Sequence, residues 1–252
     1  MCTVTFIPIR EGEFIFTSNR DETPSRSATS IISEIRADKR LLYPKDDESN
    51  GSWIIVSDSG QLVCILNGAF VRHHRKLPYR LSRGLMAKEF FSYPNAQTFI
   101  DTYIFEGIEP FSMIIYDKGN LYELRWDGQH KHPKKLNTAQ MYLWASATLY
   151  DQDMQEKRQH WFREWQNRHK EFNQSNILDF HRYGGEGNPL SDIVMNFNDI
   201  VKTTSITSIV SIPEEYQMRF ESLETKEVTR HLMPKTNVQT RLSPDRLQQK
   251  TQ

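Results

Sequence analysis

The sequence predicts an α+β fold in which two antiparallel sheets lie face to face with helices outside. Three observations predict it. Strand-like and helix-like stretches follow one another as strands, helices, strands, helices, strands. The run LVCILN is apolar and strand-like. The helix opened by Asp151 carries one apolar stripe with charges elsewhere. Periodicity alone leaves several α+β arrangements open, and the stacked sheets are the one that buries these faces most economically.

Residues 3–9 and 14–18 are β-rich and joined by Glu11-Gly12-Glu13, which predicts an opening hairpin. Alternation puts Cys2, Val4 and Phe6 on one face of its first strand. Residues 27–50 are polar and read as a long irregular excursion. Trp53–Ser57 and Gln61–Leu66 form a second hairpin about Asp58-Ser59-Gly60, closed by the turn pair Asn67-Gly68. Leu81, Leu85, Met86 and Phe90 recur at helical spacing, as do Phe99, Ile100, Tyr103 and Ile104. FSMIIYD and LYELRW flank a Lys118-Gly119-Asn120 turn, and residues 141–149 read as a further strand.

Asp151 opens the clearest helix, with Met154, Arg158, Trp161, Phe162, Trp165, His169 and Phe172 on one stripe. The tryptophans of that stripe read as core packing. A short helix at about 176–182 precedes the Gly-rich YGGEGNP. IVKTTSITSIVSI and Tyr216–Leu223 are expected to be the last strands. Residues 1–234 are therefore expected to form one domain, and 235–252 a polar tail.

The chain has 252 residues with 32 Lys plus Arg against 32 Asp plus Glu. That balance gives no electrostatic case for nucleic acid or anionic membrane as the main partner, and points to a small molecule or another protein. Its only two cysteines, Cys2 and Cys64, make no disulfide framework and no four-thiolate zinc site. Cys64 lies in the apolar run LVCILN and reads as a buried small hydrophobe. No signal peptide or membrane span is evident, so integral membrane association is not expected and a cytoplasmic location is. His73-His74 and His130-x-His132 lack accompanying ligands at metal spacing, and no metal or other cofactor is expected. The stretch from Arg72 to Arg83 carries five Lys or Arg and two His; it reads as a solvated face or as a seat for an anionic group.

Cys2 becomes chemically interesting once Met1 is removed. The freed α-amine, with a pKa of about 7.7–8, is then a base in reach of the thiol of its own residue. Asn19-Arg20-Asp21-Glu22 follows the second strand; a carboxylate there can hold that amine, although a solvated charged turn accounts for the same residues. The Asn67 amide can donate to an oxyanion, although Asn-Gly is also a common turn pair.

MCTVTF, SNRDE with Arg26 after it, SWIIVSDSGQLVCILNGAF and LSRGLMAKEFF together resemble the NRDE family, which includes the eukaryotic transport and Golgi organisation protein two. The resemblance is specific from Cys2 to about residue 92 and weaker to about 223. That family is similar to the penicillin V acylase and bile salt hydrolase group of N-terminal-nucleophile (Ntn) hydrolases. The resemblance implies a four-layer αββα sandwich with Cys2 as nucleophile, Asp21 orienting its amine and Asn67 stabilising the oxyanion. Arg20 and Asn19 are expected at the substrate, and Cys2 and Asn67 on one sheet with Asp21 lining the same pocket.

Three positions depart from the acylase pattern. Ser18 stands where the acylases have Arg, Ala147 where they have a second Asn, and Thr204 where they have a late Arg. Ser146 or Thr148 is expected to supply a hydroxyl donor instead. Two functions follow: an amidohydrolase or acyltransferase acting on a C–N bond through Cys2, or a non-catalytic carrier of a lipid-like or haem-like molecule. Both take a small-molecule ligand. Met1 is expected to be removed in the cell, because Cys2 is small; the intact mass of the native protein checks this, and a retained methionine would remove the amine from the mechanism.

Overall fold

The computed structural model describes residues 2–28 and 30–236, the side chain of Cys2 excepted. The first sheet contains β1 (Cys2–Arg10), β2 (Glu13–Glu22), β10 (Tyr142–Ala145), β11 (Asn196–Phe197), β12 (Val201–Ser211), β13 (Glu215–Ser222) and β14 (Val228–Pro234). Its order is β10-β1-β2-β12-β13-β14, with β11 also paired to β12. The second sheet is a meander of β3 (Ile31–Arg36), β4 (Lys39–Pro44), β5 (Ile54–Ser57), β6 (Gln61–Asn67), β7 (Phe111–Asp117), β8 (Asn120–Trp126) and β9 (Lys131–Leu136). All strand pairs within the two sheets are antiparallel.

Among the described residues, four α-helices complete the layers: α1 (Arg83–Glu89), α2 (Ala96–Thr102), α3 (Gln152–Arg168) and α4 (Gln174–Tyr183). Each begins at a side chain that accepts from the first turn, namely Ser82, Asn95, Asp151 and Asn173. Such caps satisfy amide groups that have no partner within the helix. Among the described residues no helix is long and apolar enough to cross a membrane.

Three apolar layers hold the stack together, and strand alternation separates them. Val4, Phe6, Phe14 and Phe16 meet Ile54, Val56, Leu62, Cys64 and Ile114 between the two sheets. Ile55, Val63 and Ile115 turn the other way, onto Met86, Phe90 and Phe99. Ile7 and Ile15 pack against Trp161, Phe162, Trp165 and Phe180. The tryptophan stripe is therefore core, and Cys64 is fully buried between the sheets, as read from the sequence. The four-layer αββα sandwich is the observed architecture.

The sequence reading missed β3, β4, β9, β11 and β14. Residues 27–50 contain the β3–β4 hairpin, whose outer strand alternates half-buried and exposed positions too weakly to register as a strand. β9, KHPKKL, is exposed along nearly its whole length and borrows its order from β8. β14, not β13, is the last strand, and it too is an exposed edge. The expected tail begins too early: Lys235 donates to Ser211 Oγ at 2.8 Å, and the amide of Thr236 to the carbonyl of Asp58 at 2.8 Å. The remainder of that tail, 237–252, lies outside the described residues.

Close backbone contact at one place shapes the site. A Cβ on Gly51 would lie 2.6 Å from the Gly84 carbonyl carbon, so only glycine lets the 46–52 loop meet the first turn of α1.

Candidate active site

The β1–β2 register ends with Cys2 opposite Arg20, and strand pairing places directly opposed residues on the same face of a sheet. β2 is buried on both sides, so its pleat divides the Asn-Arg-Asp-Glu segment. Arg20 and Glu22 face a cavity of about 510 Å³ at one end of the sandwich. Asn19 and Asp21 face the helices α3 and α4, within a separate buried network.

On the cavity side, Arg20 lies with its guanidinium 4.6 Å from the Trp53 ring centroid. It donates to Asp46 Oδ2 at 2.8 Å and to the carbonyl of Arg26. Arg26 also donates to Asp46 Oδ2, at 2.6 Å, and to Glu22 Oε2, at 3.1 Å. Burial alone would raise the Asp46 carboxyl. The amide of Ser49 and the guanidinium groups of Arg20 and Arg26 outweigh that and hold it below its ordinary value. Across the cavity, Arg83 pairs with Glu109 at 3.1 Å, and His73 and Arg75 converge on the same carboxylate at 3.2 and 3.5 Å. Burial lowers the Arg83 pKa, opposed by Glu109 and assisted by Arg75. The inner end of the basic stretch is thus built into the wall rather than solvated.

Asn67 lines this cavity too, but from β6 of the second sheet. The expectation of one sheet for Cys2 and Asn67 is corrected: the end of β6 is brought to the site by sheet stacking, a contact that local pattern cannot show. Ser146 Oγ donates to the Asn67 carbonyl at 2.9 Å and lies 3.2 Å from Thr148 Oγ1. These hydroxyls tie the end of β10 to the end of β6 and are not among the groups lining the cavity.

Asp21 is fully buried and does not line the cavity, which corrects the expectation of one shared pocket. Thr203 Oγ1 donates to its Oδ1 at 2.6 Å, and the Tyr150 hydroxyl donates to its Oδ2. Desolvation raises the Asp21 pKa, against the opposing effect of those two hydrogen bonds and of Arg158. Arg158, also fully buried, stacks its guanidinium 3.6 Å from the centroid of the Tyr150 ring and donates to Thr3 Oγ1 at 3.3 Å and the Asp192 carbonyl at 3.0 Å.

Asn19 is not at the cavity either. Its amide nitrogen donates to the carbonyls of His181 and Ile193 at 2.9 and 3.1 Å, so its Oδ1 is the acceptor facing His181 Nδ1. That fixes the tautomer: Nδ1–H donates to Asn19, and Nε2 accepts from Thr5 Oγ1 at 2.8 Å. Asn19 therefore pins α4 to the sheet.

The sequence reading did not find Tyr150, Thr203, Asp46, Trp53 or Glu109 as parts of these networks. Thr203 was hidden by a bulge: Thr203 pairs with Asp21 and Ser205 with Arg20, leaving Thr204 as the extra residue. Thr204 is buried and donates to the Arg20 carbonyl at 3.2 Å. Ser18 lies between the sheets, 3.9 Å from Cys64 Sγ, and Ala147 is buried beside Gly68. Arg20 occupies the same face of β2 as Ser18, two residues nearer the cavity.

Comparison with solved structures finds the same fold in proteins of low sequence identity. Two mutant forms of the conjugated bile acid hydrolase from Clostridium perfringens superpose with TM-scores of 0.58 and 0.57 at 8% and 9% identity, each over 94% of this chain and 97% of theirs. The Caenorhabditis elegans ortholog of N-acylethanolamine-hydrolyzing acid amidase gives 0.51 at 13% identity, over 92% of this chain and 100% of its own. At such identities the likeness is one of fold. The Transport and Golgi organisation 2 family matches residues 1–224, and the chain belongs to that family. No curated protein is matched by the sequence.

Burial holds the His181 imidazole down at a pKa of about 3, against about 6.5 in an unfolded chain. Between those values the unfolded state takes up a proton that the folded state refuses, so stability falls as pH drops below about 6.5, by about 1.4 kcal/mol per pH unit. Urea unfolding from about pH 7.5 to 5.5 should show a steeper loss for the wild type than for His181→Gln. Equal slopes would mean that folded His181 accepts the proton.

Proposed function

We propose that the protein is an N-terminal-nucleophile amidase or acyltransferase that acts on a non-peptide C–N bond through Cys2. One observation carries the reading: Cys2 is opposite Arg20 at the end of the β1–β2 register, and the next residue of β2 is Asp21. The backbone nitrogen of Cys2 belongs to the strand end that the buried Asp21 carboxyl flanks. Arg20, the partner of Cys2 across the register, lines the cavity. Removal of Met1 would convert the Cys2 nitrogen into an amine near a carboxyl whose pKa burial raises. An ammonium there stabilises the ionised Asp21, and the carboxylate in turn orients the amine.

In this scheme the amine takes the thiol proton, the thiolate attacks the amide carbonyl, and Asn67 donates to the oxygen as it becomes negative. The amine then returns the proton to the leaving nitrogen. Water attacking the resulting thioester would complete hydrolysis, and another nucleophile would complete acyl transfer. Arg20 holds the cavity wall through Asp46 and Trp53. The Trp53 indole N–H, buried without a partner among the described residues, is a donor that a bound acyl group can satisfy.

A second reading has its own support. Ala147 offers no donor and Thr204 spends its hydroxyl on a backbone carbonyl, so two acylase groups have no counterpart here. Each lost oxyanion donor costs about 10²–10³ in rate, and a cavity that binds a lipid-like or haem-like molecule without turnover is the alternative.

Thiol reactivity separates the two. A mild alkylating agent near neutral pH should label Cys2 much faster than the buried Cys64, and Asp21→Asn should slow that labelling by about tenfold or more. Labelling of Cys2 at the rate of an ordinary thiol, indifferent to Asp21, would leave the binding reading.

A further inference from the structure

Balanced overall charge conceals an uneven distribution of charge along the chain. Between Asp58 and Glu89 there is no acidic residue, while Arg72, Arg75, Lys76, Arg80, Arg83 and Lys88 fall in that interval. The loop 70–80 within it also holds apolar side chains out of the core: Phe70 is 49% exposed, Val71 72% and Leu77 71%. Ile104, 67% exposed, joins them, because Arg80 donates to its carbonyl at 2.6 Å.

The loop is fixed to one end of the sandwich. His73 and Arg75 meet Glu109, the Arg80 amide donates to the Gly107 carbonyl at 2.7 Å, and Phe70 packs on Arg125 and His132. Leu77 borders the mouth of the cavity. The acids nearby include Glu106, Glu109, Glu123 and Asp127; Glu109 is taken up by Arg83 and His73, Glu123 by Arg125 and Asp127 by His132, while Glu106 is exposed. Arg72, His74 and Lys76 remain exposed beside Val71 and Leu77.

Apolar side chains that project singly between cations suit the headgroup region of a bilayer, where the stems enter the acyl boundary and the charges meet lipid phosphates. A protein partner would be better served by a contiguous flat patch. We infer that loop 70–80, with Ile104, docks this protein on the surface of an anionic membrane and sets the mouth of the cavity against it. This is attachment at the interface, and it does not depend on Cys2 being a nucleophile.

Vesicle co-sedimentation tests it, using the full chain with phosphatidylcholine alone and with phosphatidylcholine containing about 30% phosphatidylserine. The protein should sediment with the anionic vesicles, release as salt is raised, and ignore the neutral ones. Arg72→Gln with Lys76→Gln should weaken binding roughly thirtyfold, since each basic residue near the surface contributes about a fivefold effect. Val71→Glu with Leu77→Glu should abolish it. Ile35→Glu, at a 67% exposed position on the far edge strand β3, should bind as the wild type does, and so should Cys2→Ala. Failure of the intact protein to bind anionic vesicles would overturn the inference. So would equal loss in Ile35→Glu, or full binding by the Val71→Glu, Leu77→Glu protein.

Discussion

The site depends on the pleat of one strand. β2 is covered by the second sheet on one face and by α3 and α4 on the other, so successive side chains enter different environments without any exposed position between them. Arg20 and Glu22 go to the cavity; Asn19 and Asp21 go to the helix layer. A one-residue slip of register would exchange the two sets and bury Arg20 against Tyr150 and Arg158. The bulge at Thr204 guards against such a slip, because it sets Thr203 against Asp21 while keeping Ser205 opposite Arg20.

That division lets two charge networks coexist a single residue apart. In the cavity, burial pushes both carboxyls up, but the amides of Ser49 and Thr23 together with the guanidinium groups of Arg20 and Arg26 hold Asp46 and Glu22 below their ordinary values. Behind the sheet, burial dominates instead: Asp21 is raised and His181 stays neutral. A buried carboxyl that has hydroxyl donors and is raised by desolvation is poised to respond to a nearby positive charge. The end of β1 is where the proposed amine would supply it.

Much of the fold was legible because its strands and helices carry strong local patterns. The β5–β6 and β7–β8 hairpins announce themselves by apolar runs around tight turns, and α3 by Asp151 and its aromatic stripe. Of the strands that escaped, β3, β9 and β14 are edges ordered by a neighbour rather than by their own burial. For the site, the residue types were legible and their sides were not. Asn19 and Arg20 are adjacent in sequence, and both looked available to a ligand; only the burial of both faces of β2 shows that Asn19 is committed to His181. Asp46 and Glu109 carried no signal at all, since an acid in a polar loop acquires meaning only from the arginine that folding brings to it.

The central claim is that the cysteine at the end of β1 performs covalent chemistry on an amide. Hydrolysis of a panel of simple acyl amides by the wild type and by Cys2→Ala tests it most directly. The account predicts turnover of at least one amide by the wild type, reduced by at least about 10³-fold in Cys2→Ala. Equal hydrolysis by both proteins, or none by a wild type from which Met1 has been removed, would contradict it.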